Sequence, residues 1–228
     1  MTRMIRPAFA ALFSLALFVA PFNARAESGS RHSFTPSLGY SSVIYQESYK
    51  TDYVARVLTA KLQYQFRLTP SWVIGASTYG TALTLSSNQP NNSVRFVGLN
   101  LRLGYNRPAK PSSWSFGVLG GWYYNTMLVG ENSFGVKNLS GPQLFPTVIR
   151  QFGPGSFMSA YLKFSPTLND LKLMPLEDRE LGAGVALTQA IGKSKQASIS
   201  FDASNLRENF DTLQVNMTTF SLSFGLGF

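Results

Sequence analysis

The sequence predicts an all-β fold: a closed antiparallel barrel of about ten strands that crosses a membrane, with eight or twelve strands as alternatives. Apolar residues recur at every second position over stretches of a dozen or more residues, well beyond the five or six usual for a strand in a soluble sheet. The connections between these stretches alternate between compact turns and longer polar loops, as in a barrel with turns on one side of a membrane and loops on the other. Charged residues are only 14% of the chain against 44% hydrophobic, whereas about a quarter charged is usual for a soluble domain.

Ten strands follow in order: 33–46, 53–67, 72–85, 94–106, 114–126, 142–152, 156–168, 179–191, 197–205 and 214–228. The first ends at the polar "ESYKTD". The second places Val54, Arg56, Leu58, Ala60, Leu62, Tyr64 and Phe66 on one, largely apolar face and Ala55, Val57, Thr59, Lys61, Gln63, Gln65 and Arg67 on another that grows polar. It stops at "LTPS", a turn with proline. The third opens on Trp72 and ends at "SSNQPNNS". In the fourth, Val97, Leu99, Leu101, Leu103 and Tyr105 oppose Gly98, Asn100, Arg102, Gly104 and Asn106, and "RPAKPSS" closes it. The fifth opens on Trp114 and runs to the long "MLVGENSFGVKNLSG". The sixth and seventh flank "GPG", and "NDLKLMPLED" leads to the eighth. "GKSKQ" and "NLRENFDTL" bound the ninth, and the tenth is "QVNMTTFSLSFGLGF". An even count places both chain termini on the short-turn side.

Aromatic residues collect at both ends of these strands: Phe66, Trp72, Tyr105, Trp114 and Phe152 toward the turns, and Tyr45, Tyr53, Tyr79, Trp122 and Tyr124 toward the loops. Such placement suits interfacial girdles, where an amphipathic ring has one apolar and one wet neighbour.

The chain begins with the basic "MTRMIR", an apolar stretch, and "PFNARA". That order predicts a secretory signal peptide over 1–26, cleaved after Ala26, and a single barrel domain over 27–228. The apolar run is short for crossing about 30 Å of hydrocarbon. The leader holds Arg3, Arg6 and Arg25 and no acid, so its removal takes the net charge from +9 to +6. With no cysteine, disulfides, thiolate metal sites and a lipidated cysteine are excluded.

The last strand carries a family resemblance. Phe220, Leu222, Phe224, Leu226 and Phe228 alternate toward a terminal phenylalanine, and in this the chain resembles the bacterial outer-membrane β-barrel proteins over its whole mature length. The resemblance implies that these five residues form the signal read by the barrel assembly machinery. It also implies delivery by periplasmic chaperones and residence in the outer membrane, among its lipid and lipopolysaccharide. Ser223 stands where that family usually has glycine, and Leu226 where it has a penultimate aromatic residue.

Some members of that family are enzymes that use a histidine with a serine or with acidic residues. The single histidine here, His32, falls at the start of the first strand near Ser30 and Ser33, with only Glu27 as a nearby acid, and reads as a solvated residue of an N-terminal arm. The expectation is therefore no enzyme. No metal or cofactor is expected either. Asp170, Glu177, Asp178 and Glu180 match no calcium-loop spacing. "LGAGVAL" precedes no helix, unlike a dinucleotide fingerprint. No basic stripe interleaved with aromatics suggests nucleic acid.

With the apolar alternate turned to lipid, Lys61, Arg67, Arg102 and Lys163 point into the lumen with Glu180 and Asp202. Either these charges pair across a narrow interior, each acid meeting a lysine or arginine, or the basic surplus lines a small channel that favours anions. The lumen-side glycines open space or let strands approach closely. Two functions follow: a small porin-like channel with a basic lumen, built on Lys61, Arg102 and Lys163, or a structural or adhesive surface barrel acting through loops 127–141 and 169–178. In the second, Lys50, Lys137, Lys172, Arg179 and Arg207 would meet lipopolysaccharide.

Overall fold

In a bilayer every backbone N–H and C=O must be satisfied inside the protein, so alternating strands are stable there only as a closed ring. The computed structural model describes residues 31–48, 52–89, 94–107, 114–129, 138–153, 156–169, 172–173, 178–191, 195–210 and 213–228. The predicted leader lies outside them. Its strands are β1 (His32–Glu47), β2 (Tyr53–Arg67), β3 (Trp72–Ser87), β4 (Val94–Asn106), β5 (Trp114–Val129), β6 (Leu139–Gly153), β7 (Ser156–Pro166), β8 (Leu168–Asn169), β9 (Lys172–Leu173), β10 (Arg179–Ile191), β11 (Lys195–Phe210) and β12 (Leu213–Gly227).

Ten of these close a barrel in the order β1-β12-β11-β10-β7-β6-β5-β4-β3-β2, all antiparallel, while β8 and β9 form a small separate hairpin. The closing seam joins β1 to β12 from Ser37–Gly225 to Glu47–Val215. Phe34 and Phe228 extend it with reciprocal backbone hydrogen bonds of 3.2 and 2.9 Å. Among the described residues the ten-stranded ring has no open edge.

The wall is inverted relative to a soluble protein. Large apolar side chains stand outward, among them Leu38, Leu101, Phe116, Leu162 and Phe224, the least covered being Phe116 at 64% exposed. Polar groups fill the inside, with Ser41, Ser77, Asn100, Asn125 and Gln143 all buried. Among the described residues no helix is long and apolar enough to cross a membrane; the strands make the crossing. Toward the turn end, Trp72 meets Tyr105 edge-on at 5.5 Å, and the Arg150 guanidinium lies 5.4 Å from the Trp114 ring and 5.7 Å from that of Phe152. Trp122 and Tyr124 stand outward toward the loop end.

Several expectations are corrected. The ninth connection is not a long loop: β11 runs to Phe210 and β12 starts at Leu213, and the two strands pair up to Phe210–Leu213. "NLRENF" is polar because it lies above the bilayer, and hydropathy marks where lipid ends, not where a strand ends. Tyr45 and Tyr53 do not join the loop-side girdle, being 1% and 0% exposed inside the barrel, and Tyr79 lines the lumen. Their odd numbers on β1 to β3 put them on the inner face. His32 is not in a loose arm but begins β1, its ring 4.9 Å from Phe66 and Nδ1 2.7 Å from the Tyr64 hydroxyl.

One seam is irregular. The β6–β7 register is given by Leu144–Phe164 and then Thr147–Tyr161, with a bulge near Gln151 and Gly153. Pro142 and Pro146 lie on β6, and proline has no N–H to give to a ladder.

Candidate functional site

The inward alternates of β2, β4, β7, β10 and β11 bring the lumen charges to one level. Lys61 comes from β2, Arg102 from β4, Lys163 from β7, Glu180 from β10 and Asp202 from β11, and all five line one cavity of about 750 Å³. Arg67 lines the same cavity nearer the turn end, beside Thr69 and Arg107.

The two acids are not used alike. Lys163 Nζ forms an ion pair with Glu180 Oε2 at 2.5 Å. Asp202 instead accepts hydrogen bonds from the Tyr161 hydroxyl and from Ser200 Oγ, the latter at 3.3 Å, so the expectation that each acid pairs with a lysine or arginine holds for Glu180 alone. Lys61 feels Asp202 as its attractive neighbour and Arg102 and Lys163 as repulsive ones. Arg102 lays its guanidinium over the Phe145 ring at 4.1 Å, and its buried Nε has no hydrogen-bond partner. Three cations thus share two carboxylates, and one carboxylate is already held by a tyrosine and a serine. The polar wall continues through Gln143, Asn100 and Ser77, linked at 3.2 and 3.3 Å.

Glycines shape this level by taking in rings. A Cβ on Gly98 would overlap the Tyr79 ring, and one on Gly184 would lie 2.6 Å from Tyr161 Cε1 and 2.5 Å from Asp202 Oδ1. Each ring lies on its direct cross-strand partner, Tyr79 on Gly98 and Tyr161 on Gly184. The glycines give their space to these rings.

Above this level an inward-facing apolar layer, the plug, stands on the adjoining strands β11, β12, β1 and β2. Val43, Tyr45, Tyr53, Ala55, Val57, Leu206, Val215 and Met217 form a buried cluster inside the loop end, with Phe96 and Leu139 packed on it. Val43, Val57 and Met217 of this cluster, and Phe96 beside it, also line the cavity. Polar groups brace the plug: the Tyr45 hydroxyl donates to Glu47 at 2.6 Å, Tyr123 meets Thr167 at 2.6 Å, and Thr167 donates to Glu208. Asp178, 1% exposed, accepts from the Asn209 backbone at 2.7 Å. The chain after β7 bends against β6, where a Cβ on Gly141 would overlap the Pro166 carbonyl. The plug was missed in the sequence, although the odd-numbered run Val43, Tyr45, Tyr53, Ala55, Val57 is an apolar inner face and could have revealed it.

The remaining site residues lie elsewhere. Phe220, Leu222, Phe224, Leu226 and Phe228 all stand on the outer wall. Loop residues Lys50, Glu131, Lys137, Asp170 and Glu177 lie outside the described residues, as do the side chain of Lys172 and most of loops 127–141 and 169–178.

No protein-family model matches the chain, and no curated protein matches it in sequence. Solved structures do match. The outer membrane protease OmpT from Escherichia coli superposes with a TM-score of 0.61 at 10% identity, over 86% of this chain and 96% of that one. Neisserial surface protein A gives 0.49 at 8% identity over 87% and 96%, and Ail of Yersinia pestis 0.37 at 15% over 87% and 100%. The likeness to OmpT is one of fold. A ring without edges, apolar toward its surroundings and polar within, is stable only where lipid replaces water around it, and this chain is accordingly an integral β-barrel of the bacterial outer-membrane type.

Proposed function

We propose that the protein is a small-solute barrel whose lumen takes up small anionic or polar solutes from the periplasmic side and is held shut at its outer end by the plug. The supporting observation is the convergence of Lys61, Arg102 and Lys163 on a cavity of about 750 Å³ that Val43, Val57 and Met217 also line. That volume lies in the range of small-molecule sites. The surplus cation and the unpartnered Arg102 Nε favour an anion there, because a charge-assisted hydrogen bond to a bound oxyanion would satisfy the buried donor. Passage outward then requires displacement of the Tyr45–Tyr53 layer. The reading is of binding and passage without catalysis; His32 lies at the turn end, its ring against Tyr64 and Phe66. The outward row Phe220 to Phe228 serves, on the same reading, as the strand presented to the assembly machinery.

Planar-bilayer recording tests it. The refolded mature chain is expected to show little steady conductance, and Tyr45→Gly with Tyr53→Gly to open an anion-preferring pore. Adding Lys61→Glu and Lys163→Glu should abolish or reverse that preference. Anion preference that survives those two changes would sink the choice of lining residues. A silent plug-opened variant with an intact barrel would favour the surface role carried by the loops.

A further inference from the structure

Two acids at the loop end of the barrel serve neither the lumen ion pair nor the cavity. Asp178 and Glu208 are 1% and 0% exposed, and neither lines the cavity. Arg179 pairs with Arg207 across β10 and β11, so the antiparallel register sets Asp178, one residue earlier, against Glu208. Side chains so opposed lie about 5 Å apart at Cβ, and like charges there repel. Among the described residues neither acid forms an ion pair; Lys163 is taken by Glu180. The outer face of β11 is polar at this height, Asn205 Nδ2 donating to Asn216 Oδ1 at 2.7 Å, so the two acids stand above the lipid.

Their donors differ. Asp178 Oδ1 accepts from the Asn209 backbone at 2.7 Å and from its amide at 3.2 Å. Glu208 Oε1 accepts from Thr167, whose hydroxyl meets that of Tyr123 at 2.6 Å, and Glu208 Oε2 is buried with no partner. Among the described residues no cation faces Glu208. Thr167 meets it from the chain after β7, with Tyr123 of β5 behind, and Asp178 and Glu180 add negative charge from the β10 side. Val215 pairs with it from β12, Leu206 lies two residues below it on β11, and across Val215 stands Glu47 of β1, which accepts from Tyr45. Burial, and then the Asp178 and Glu180 carboxylates, push the Glu208 carboxyl up from 4.5 to about 7, against the opposing hydrogen bond from Thr167.

We infer that Glu208 is a proton-operated latch on the plug, a regulation that rests on the reading of the plug as the closure of the lumen. While Oε2 holds its proton, Leu206 and Val215 of the apolar layer pack beside a neutral group. When the Oε2–H bond breaks, the proton passes to water at the loop end and the charge stays on Glu208, buried opposite Asp178 and without a cation. Water must then enter to solvate it, which parts Leu206 and Val215 and loosens the Tyr45–Tyr53 layer beside them. The packed plug holds the proton more tightly than a hydrated one. Packing is therefore complete in acid, weakens up to about tenfold per pH unit between 4.5 and about 7, and stays weakened above.

Amide hydrogen exchange on the refolded mature barrel in lipid vesicles, between pH 5 and 8, tests the latch. The readout is the ratio of exchange at the loop ends of β1, β11 and β12 to that at their turn ends, which cancels the intrinsic effect of pH. In the parent chain the ratio should rise roughly tenfold or more over this range. Glu208→Gln, neutral at every pH, should keep the acid value throughout. Asp178→Asn removes one charge that retains the proton and should move the rise to lower pH. The electrophoretic shift that is lost on heating establishes that each variant is folded. A parent ratio that stays flat or falls, a rise in Glu208→Gln equal to the parent's, or a rise that Asp178→Asn leaves in place would overturn the inference. Bilayer recording on the same preparations separates it from the lumen reading. If Tyr45→Gly with Tyr53→Gly is silent while exchange in the parent still follows Glu208, conduction fails and the latch stands; if that variant conducts while exchange in the parent ignores pH, the latch alone fails.

Discussion

Lys163 and Glu180 show how single residues inside the barrel share work between charge and geometry. Their 2.5 Å contact lies in the lumen with both side chains largely covered, so removing one partner leaves a poorly solvated charge. Glu180→Gln is expected to destabilise the barrel by about 1–3 kcal/mol, with Glu180→Gln/Lys163→Gln recovering most of that loss, as read by urea unfolding in lipid vesicles. Equal stability of the single and double variants would show that the pair contributes nothing beyond its separate side chains. The inward direction of both residues was legible from alternation. Their pairing was not, because it depends on the β7–β10 register that sets Lys163 against Gly182 and Glu180 against Ser165, two residues apart on neighbouring strands. The glycines show the same limit: Gly98 and Gly184 could be placed on the inner face, but that each holds the ring of its cross-strand partner follows only from pairing.

At the scale of the strand, lipid contact and strand length part company. Asn205, Arg207 and Asn209 lie on β11 above the apolar wall, and the strand continues through them to Phe210 because backbone pairing with β12 does not require lipid. The consequence is a depth-dependent tolerance to charge. Phe224→Arg, in the middle of the lipid face of β12, should cost about 2–4 kcal/mol, whereas Asn205→Arg, at the rim, should cost about 0–1 kcal/mol. Unfolding measured in vesicles checks both; similar penalties at the two positions would mean that the wall is not set in the bilayer as its hydropathy indicates. The core of each strand was read correctly for this reason, and the errors fell at ends such as β5, β6 and β11, where polarity changes before pairing stops. β6–β7 is expected to exchange amide hydrogens faster than β1–β12, since Pro142 and Pro146 contribute no donors.

At the scale of the molecule, the barrel has two unlike ends: a lumen lined by Arg67, Thr69 and Arg107 at the turn end and a plug of Tyr45, Tyr53 and their neighbours at the loop end. The absence of cysteine makes its orientation simple to check. Ser133→Cys, in a long connection, should react with a membrane-impermeant maleimide on intact cells, and Lys110→Cys, in a short one, only after the outer membrane is breached. The reverse pattern would invert the topology and with it the periplasmic opening of the lumen.

The sequence by itself determined the ten barrel strands, the antiparallel closure and the face of the side chains in the lipid-spanning middle of each strand, since period-two alternation is local and records which side meets lipid. Tertiary structure alone decided what the inward residues meet. Asp202 is held by Tyr161 and Ser200 while Glu180 is taken by Lys163, and an apolar layer from four strands packs inside the loop end. Those outcomes depend on stagger between strands far apart in the chain, and the alternation within any one strand does not encode stagger.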